Sequence, residues 1–487
     1  MSTKEVEGSF IEMKILMLTW EYPPRIVGGI SRVVHDLSHR LIKDGHEITV
    51  ITYKDGDLPE FENDKGVKVY RVDNYMINPN NFIDWIMQLN FNMIAKANEL
   101  IAKEGNFDVI HAHDWLVAYA AKTLKHAFNI PLVSTIHATE AGRNSGIHDE
   151  VQRYINDTEW LLTYEASEVL VNSNYMKSEL QRLFGLPFEK INVVPNGINL
   201  TAFNGVERDY EFRRQYAMDN EKIILFMGRL VYEKGIQHLI SAMPKILANY
   251  HDAKLVIAGK GGMLDELKAQ VEHMGIGNKV YFTGYLNAKQ VSKMYKAADI
   301  SVFPSTYEPF GIVALEAMLA GTPTVVSDVG GLNEIVEHGV NGMKSYAGNP
   351  NSIADSILQL LFDQKLCSNI TKNAKLKVKN NYIFLINFLS ISIGNLNNNL
   401  IFIPVCILVY NNALISDAEK DLLFSNSIKD YIRSKKCSEM NNRIQTLIKE
   451  RGEEVGKMIV LKIDEFKPKK IAYDNQLEKV LDRKSVV

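Results

Sequence analysis

The feature that most constrains the fold of this 487-residue chain is a regular alternation of short apolar, β-rich runs with stretches of helical periodicity. In the first part of the chain, strands are predicted at residues 14–19, 47–52, 108–112, 131–137 and 169–173. Strands that are apolar on both faces and separated by helices belong to a parallel sheet with helices on both sides. This part of the chain is therefore predicted to form a doubly wound α/β domain.

The same alternation restarts in the second part of the chain. Strands are predicted there at residues 223–228, 254–259, 280–284, 300–305 and 322–327, and a polar joint at residues 204–214. The sequence thus indicates two doubly wound, Rossmann-like domains, residues 13–205 and 206–382, that face each other. Because ligands of such sheets bind at the carboxyl ends of the strands, we expect the site in the cleft between the domains.

The last segment, residues 383–487, does not continue the alternation. Residues 383–416 contain no Asp, Glu, Lys, Arg or His, and their two apolar halves are separated by the polar residues 394–399. Each half is shorter than the ~20 residues that a membrane-spanning helix needs, so no integral membrane span is expected. Residues 417–487 are charged and helix-prone, and they carry no recognisable chemistry. We interpret the whole segment as an atypical tail of unknown role.

The charge balance and the cysteine content limit which classes of binding partner and which cellular compartment are expected. The chain has 55 Lys and Arg residues against 58 Asp and Glu residues, a formal net charge of −3. This balance gives no electrostatic reason to expect nucleic acid or an anionic membrane as a partner. The three cysteines, Cys367, Cys406 and Cys437, lack metal-ligand spacing and cannot make a disulfide framework, which favours a reducing interior. Since the first residues show no apolar run of a signal peptide, a cytoplasmic location is expected.

The most specific motif is EPFGIVALE, from Glu308 to Glu316, directly after a predicted strand. A turn is predicted next, followed by a helix from near Gly311 to about Ala320. Eight residues of helix span about 12 Å, whereas paired glycosidase carboxylates lie about 5 to 9.5 Å apart, so an acid/base pair is not expected. The two glutamates are instead predicted to hold two parts of one extended ligand, with a phosphate at the helix N-terminus between them. The alternative is a loop-capping Glu308 and a solvated Glu316.

Two cations follow the first strand of the second domain, in the motif GRLVYEKG from Gly228 to Gly235. They are predicted at the carboxyl end of a parallel strand, where a helix begins near Gly235. A bound diphosphate would meet Arg229, whose guanidinium is a fork of donors, and Lys234, which is a point charge. Two solvated surface cations are the alternative, but their position and the flanking glycines favour ligand binding.

A glycine pair, Gly28 and Gly29, lies between the first strand of the first domain and the helix that follows it. Two glycines allow a phosphate to approach the backbone closely. A tight turn between strand and helix would also explain them, so the pair alone is a weak signal.

A histidine-rich pattern ends two strands of the first domain. His111 and His113 alternate along a strand as a metal pair would, but no third ligand has suitable spacing, so no metal is predicted. His111 is interpreted as a structural residue. Asp114 and His137, at adjacent strand ends, are predicted to contact sugar hydroxyls or a transition state.

Taken together, these motifs resemble those of retaining glycosyltransferases of the GT-B fold, in the glycogen and starch synthase-like branch of archaea and bacteria. The resemblance covers about residues 13–382. It also includes WEYPP at residues 20–24, STIH at 134–137 and VPNG at 194–197. It implies two Rossmann-like domains facing across a cleft, ADP-glucose or UDP-glucose as the donor substrate, and no required cofactor or metal.

The resemblance also implies roles for individual residues. Arg229 and Lys234 would neutralise the donor diphosphate as it leaves. Glu316 would bind the ribose and Glu308 the transferred sugar. The catalytic set implied is His137, Asp114, Glu308, Arg229 and Lys234. The donor-binding set implied is Gly28, Gly29, Arg229, Lys234, Tyr285, Glu308, Phe310, Gly311, Ile312 and Glu316, with Tyr285 near the base.

The chain departs from this family at two places. Ile26 stands where bacterial glycogen synthases carry a lysine, two residues before the glycine pair, which leaves the choice between ADP and UDP open. After Tyr382 the family continues with a helix that returns to the first domain, whereas here the charge-free run begins. We therefore interpret residues 383–487 as a divergent, fused or frame-shifted tail.

The reaction predicted from the resemblance is transfer of glucose to the non-reducing end of an α-1,4-glucan, in a cleft whose closure excludes water. A related transferase acting on a lipid or a sugar phosphate, or forming maltose-1-phosphate, stays open, because the acceptor loops such as residues 139–146 decide it. A non-catalytic glucan- or nucleotide-sugar-binding protein with a disabling tail also stays open, as does a homo-oligomer. A phosphorylase is not expected, since no lysine is placed for pyridoxal phosphate.

Overall fold

A computed structural model describes residues 12–73, 79 and 81–382, together with the backbone of residues 391–396 and 399–403. Two large β-sheets, each with helices on both sides, make up the described chain up to Tyr382.

The first sheet has eight strands and is parallel except at one edge. Its strands are β1 (Lys14–Leu18), β2 (Glu47–Tyr53), β3 (Phe61–Asp64), β4 (Val67–Val72), β5 (Val109–His113), β6 (Leu132–Ile136), β7 (Glu168–Val171) and β8 (Ile191–Val193). Its helices are α1 (Gly29–Lys43), α2 (Phe82–Glu104), α3 (Ala118–Phe128), α4 (Glu140–Arg143), α5 (Glu150–Glu165) and α6 (Asn174–Phe184). The strand order is β3-β4-β2-β1-β5-β6-β7-β8, and only the β3–β4 pair is antiparallel.

The second sheet has six strands, all parallel. They are β9 (Lys222–Met227), β10 (Ala253–Ala258), β11 (Val280–Gly284), β12 (Ile300–Phe303), β13 (Thr324–Ser327) and β14 (Met343–Ser345), in the order β11-β10-β9-β12-β13-β14. Its helices are α7 (Tyr210–Arg214), α8 (Ile236–Asn249), α9 (Leu264–His273), α10 (Ala288–Ala297), α11 (Ile312–Ala320), α12 (Gly330–Ile335), α13 (Pro350–Phe362) and α14 (Gln364–Asn381).

Alternation along the central strands builds a core on both faces of each sheet. In β1, Ile15 and Met17 pack into the cluster on one face, whereas Leu16 and Leu18 pack into the cluster on the other. A strand that is buried on both faces must be apolar throughout. The predicted fold of two doubly wound α/β domains is therefore confirmed.

Every predicted strand is present, with ends shifted by at most two residues, but four strands of the two large sheets were not predicted. The β3–β4 hairpin contains polar residues because β3 is an exposed edge strand. The edge strands β8 and β14 are each three residues long, too short for a periodic signal.

Near the predicted joint, the chain already packs with the second sheet. Ile198 and Phe203 lie in the core cluster of that sheet, and the Ile198 N–H donates to the carbonyl of Tyr382 at 2.8 Å. The boundaries 13–205 and 206–382 stay a prediction.

After Tyr382 the structure describes only two backbone strands, β15 (Ile391–Leu396) and β16 (Asn399–Ile403), which pair antiparallel. The predictions for the rest of the tail, and for Cys406 and Cys437, lie outside the described residues. None of the helices that the structure describes has the length and hydropathy needed to cross a bilayer.

Candidate active site

The strand order of each sheet reverses at one point, and the predicted site residues lie there. In the first sheet the order runs outwards from β1 and β5, and in the second from β9 and β12. At such a switch point the chain leaves two neighbouring strands in opposite directions and opens a crevice at their carboxyl ends. The segments after β9 and β12 carry Lys234 and Glu308, and those after β1 and β5 carry the glycine pair and Asp114.

Lys234 and Glu308 meet across the switch point of the second sheet. Lys234 ends a short 3-10 helix before α8, and its Nζ donates to Glu308 Oε2 at 2.7 Å. The Ser305 hydroxyl donates to the same oxygen at 3.2 Å. The two charged side chains are 19% and 10% exposed, so the pair is mostly removed from water. This arrangement holds an ammonium group where an anion can approach it, beside a carboxylate that can accept from hydroxyls.

Arg229, the second predicted cation, is not part of this pair. Its Nη2 lies 3.4 Å from Glu233 Oε1, and its side chain is 47% exposed. The Glu233 carbonyl accepts from the Thr306 N–H at 2.8 Å, which ties the segments after β9 and β12 together. The half-exposed Arg229 guanidinium can therefore rotate from Glu233 to a bound anion without breaking a buried contact.

Glu316 lies on α11, whose first residue follows Gly311 as predicted. Its Oε1 accepts from Arg32 Nη1 at 2.5 Å, and its Oε2 accepts from the Tyr295 hydroxyl at 3.1 Å. Burial raises the pKa of the Glu316 carboxyl, and the Arg32 charge opposes that rise. Both oxygens are thus engaged, and a ribose at this position would have to replace one partner.

Arg32 is a site residue that the sequence analysis missed. It lies in the first turn of α1, in the first sheet's domain, yet it pairs with a carboxylate 284 positions later. A cation near a helix N-terminus opposes the helix dipole, so it needs an acid nearby. That rule marks Arg32 as unusual, although the sequence does not identify its partner.

The backbone around the glycine pair, including the N–H of Gly28, is bound by another residue of the same domain. The buried Glu21 carboxylate accepts from the N–H groups of Val27 at 2.6 Å, Gly28 at 2.9 Å and Ser31 at 3.3 Å. Burial raises the pKa of Glu21, and these backbone donors oppose the rise. Gly29 faces the second domain, since a Cβ there would lie 3.5 Å from Ile312 Cδ1.

Asp114 and His137 come together at the switch point of the first sheet. The His137 N–H donates to Asp114 Oδ1 at 2.7 Å, and His137 Nε2 lies 3.2 Å from His113 Nδ1. Asp114 has a φ of 61° and a ψ of 170°, a strained conformation that is common at functional sites. His111 is buried against the Thr135 hydroxyl at 2.7 Å, as a structural histidine would be.

Burial shifts the pKa values of Asp114 and His137 and so determines their charges. It raises the pKa of Asp114 to about 6, against the lowering effects of Arg143 and the His137 N–H. It lowers the pKa of His137 to about 3, and the nearby Arg143 charge adds to that lowering. At neutral pH, Asp114 is therefore an anion and His137 is a neutral hydrogen-bonding group.

The remaining predicted donor residues differ in exposure. Tyr285 is 57% exposed, with Lys260 Nζ 6.0 Å from its ring centroid, so a large part of the ring is accessible to a base. Phe310 is buried and packs edge-on against Tyr382 with ring centroids 6.0 Å apart, so only its backbone can face a ligand.

The loop after β12 is also fastened to the first domain, through residues that the sequence analysis did not single out. The buried Tyr307 hydroxyl donates to Glu179 Oε1 at 2.8 Å and accepts from the Thr139 N–H at 3.2 Å. The Ser173 hydroxyl donates to the Pro309 carbonyl at 2.6 Å. Glu308 therefore lies between two residues that are held by the opposite domain.

Two glycosyltransferase family models match successive parts of the chain. The family model described as "Glycosyl transferases group 1" matches residues 208–377, and "Glycosyltransferase Family 4" matches residues 27–202. An uncharacterized glycosyltransferase of Methanocaldococcus jannaschii is 46% identical over 374 residues, which are 76% of this chain and 94% of that protein. A glycogen synthase of Mycobacterium tuberculosis is 34% identical over 385 residues, covering 76% of this chain and 91% of that protein.

Solved structures show the same fold. Sucrose-phosphate synthase from Thermosynechococcus elongatus matches with a TM-score of 0.67 at 24% identity, over 77% of this chain and 96% of that one. Anabaena HepE, in complex with UDP-glucose, matches with a TM-score of 0.62 at 23% identity, over 76% and 96%.

Proposed function

This chain belongs to the glycosyltransferases of the GT-B fold, and from that premise we propose that it moves glucose from ADP-glucose or UDP-glucose to the non-reducing end of an α-1,4-glucan. The observation that carries the proposal is the Lys234–Glu308 pair at the switch point of the second sheet. The 34% identical glycogen synthase supports a glucan acceptor, and the HepE complex supports a nucleotide-sugar donor. We assign the acceptor to residues 13–205, the donor to residues 206–382, and the location to the cytoplasm.

On the donor side, charge neutralisation is the proposed source of catalysis. Lys234 is already oriented by Glu308, so it stabilises the diphosphate as the bond to glucose breaks. Arg229 turns from Glu233 to the same group. The backbone N–H groups of Phe310, Gly311 and Ile312, just before and at the start of α11, bind the phosphates, because no described side chain caps this helix end. Glu316 exchanges a partner for the ribose, and Tyr285 stacks on the base.

At the reaction centre, we propose retention without an enzymic nucleophile and without a metal. The bond between glucose C1 and the phosphate oxygen breaks, the bond from C1 to the acceptor oxygen forms on the same face, and the acceptor proton passes to the departing phosphate. His137 is neutral and lies near the sugar as a hydrogen-bonding group. Asp114 is bonded to the His137 N–H and positions that loop.

A donor and acceptor screen tests this proposal. The purified full chain is incubated with ADP-glucose or UDP-glucose, radiolabelled in the glucose, together with glycogen, glucose 1-phosphate or a lipid extract. We expect label in glycogen with at least one donor. Label only in a small acceptor or a lipid would overturn the glucan assignment. Binding of the nucleotide sugar without transfer to any acceptor would favour the non-catalytic binding protein.

Closure of the two domains can be tested at Gly142. A Cβ at this position in α4 would lie 2.4 Å from the Tyr307 ring of the second domain, about 1 Å inside an ordinary contact. Gly142→Ala should therefore keep the domains apart and lower kcat/KM for glucosyl transfer by about 100-fold, because a displacement of this size misplaces reacting groups. Gly277→Ala, where a Cβ meets nothing within 4 Å, is the matched control. Equal activities in the two variants would show that the contact at Tyr307 does not matter for transfer.

A further inference from the structure

Two histidines and an aspartate come together on the first domain. His35 and His39 lie on α1, and Asp64 ends β3. Residues four apart on a helix share a face, so both imidazoles can reach the same neighbour. Their Nε2 atoms lie 3.5 and 3.3 Å from Asp64 Oδ2. In the part of the chain that the structure describes, this is the one group of three such ligands with atoms all within 4.8 Å of one another.

The other nitrogen of each ring is already committed. His39 Nδ1 lies 2.8 Å from the His35 carbonyl oxygen, and His35 Nδ1 lies 2.9 Å from Asp36 Oδ1. A carbonyl and an ionised carboxylate can only accept, so each Nδ1 is the donor of its ring and Nε2 is the nitrogen that remains for a metal. Both Nε2 atoms thus face the same carboxylate oxygen, which places three potential ligand atoms around one point.

Two further contacts of these side chains favour a bound cation. His39 Nε2 is a buried atom that lies 3.3 Å from Asp64 Oδ2 but makes no hydrogen bond with any residue that the structure describes, which is costly for a polar atom. The Tyr22 hydroxyl donates to Asp64 Oδ2 at 3.2 Å and so orients the carboxylate. Hydrogen bonds of this kind to the ligands are a regular part of metal sites.

The ligand types and the two separations from Asp64 fit tetrahedral zinc. Tetrahedral zinc binds nitrogen and carboxylate oxygen at about 2.0 to 2.2 Å, which puts neighbouring ligand atoms about 3.3 Å apart. The two observed separations from Asp64 Oδ2 are 3.3 and 3.5 Å. We propose that His35 Nε2, His39 Nε2 and Asp64 Oδ2 bind one zinc ion. The His35 and Asp64 side chains are 31% and 22% exposed, so water can take the fourth position.

The proposed ion has a structural role. It joins α1, the helix that follows the glycine pair and carries Arg32, to the β3–β4 hairpin at the edge of the sheet. The ion is not needed for the transfer reaction, and the proposal does not rest on the proposed function.

Zinc binding to the full-length protein, with any purification tag removed, tests the proposal. Zinc is titrated in competition with a chromophoric chelator, and bound metal is counted by mass spectrometry after dialysis. We expect one zinc ion per wild-type chain, a higher Tm with zinc, and the absorption of tetrahedral Co²⁺ when cobalt replaces zinc. His35→Gln, His39→Gln and Asp64→Asn should each lose the ion, and Tyr22→Phe should bind it about 10-fold more weakly.

The matched control is His126→Gln. His126 Nε2 also lies close to a carboxylate, at 2.8 Å from Glu165 Oε2, but it does not belong to a group of three ligands in the described structure. This variant should bind zinc as the wild type does. A wild type that binds no zinc overturns the proposal. The proposal is also overturned if all three ligand variants bind zinc as tightly as the wild type. Circular dichroism checks that each variant is folded.

Discussion

Lys234→Ala is expected to lower kcat/KM for glucosyl transfer by about 100- to 1,000-fold, the usual cost of removing one preorganised group that stabilises developing charge. The reason is its place in the structure, where Lys234 Nζ is held 2.7 Å from Glu308 at the switch point of the second sheet. Since the diphosphate gains charge as it leaves, the loss should fall mainly on kcat rather than on KM. Steady-state kinetics with both nucleotide sugars measure it.

Two further variants separate charge from structure. Lys245→Ala removes an exposed lysine that pairs with Asp355 at 2.6 Å, so it should keep wild-type kinetics. Lys234→Arg keeps the positive charge and should recover part of the lost activity. If Lys234→Ala retains wild-type kcat/KM, Lys234 has no role at the diphosphate. If its activity falls only in step with a loss of folded protein, measured by Tm, the role of Lys234 is structural.

Gly235→Ala is expected to be the most destabilising single-methyl change among those considered. Gly235 has a φ of 69°, and a Cβ there would lie 1.9 Å from the Pro304 carbonyl oxygen, a backbone atom. The left-handed conformation alone costs alanine about 1 to 2 kcal/mol. The collision also forces the backbone after β9 away from the backbone after β12. We therefore expect the free energy of unfolding to fall by about 4 kcal/mol or more in total.

Gly275→Ala is the control that isolates the collision. Gly275 has nearly the same φ, 68°, but a Cβ there meets nothing within 4 Å. The free energy of unfolding of Gly275→Ala should fall only by the conformational cost of about 1 to 2 kcal/mol. Urea denaturation, followed by fluorescence and circular dichroism, compares the two variants. Equal losses of stability in the two variants would show that the backbone at Pro304 moves to accommodate the methyl group. In that case the close approach of the two loops does not hold Lys234 in place.

Local patterns in the sequence predicted the sheets and the helix ends well. The apolar runs of β1 and β9 are buried on both faces, so their composition alone marks them as central strands. The helix predicted to run from near Gly311 to about Ala320 is α11, because Gly311 and Gly321 stand at its two ends. These features depend on neighbours in sequence, which is why they can be read without a structure.

Contacts between distant segments could not be predicted in the same way. Arg32 and Glu316 are 284 positions apart, and nothing in either local motif identifies the other. The four-residue spacing of His35 and His39 is visible in the sequence, but Asp64 reaches them only because β3 lies at the edge of the sheet. Glu21 belongs to a quoted motif, yet only the structure shows that it binds the backbone before α1.

The anomeric configuration of the product shows whether the chain transfers glucose to an α-1,4-glucan with retention. Time-resolved proton NMR follows ADP-glucose or UDP-glucose, a short α-1,4-linked oligosaccharide and the wild-type chain, with Lys234→Ala as the control. We expect a new α-1,4 anomeric signal to grow as the donor signal disappears, and Lys234→Ala to delay both changes. A β-anomeric product, or free glucose as the only product, would contradict this expectation.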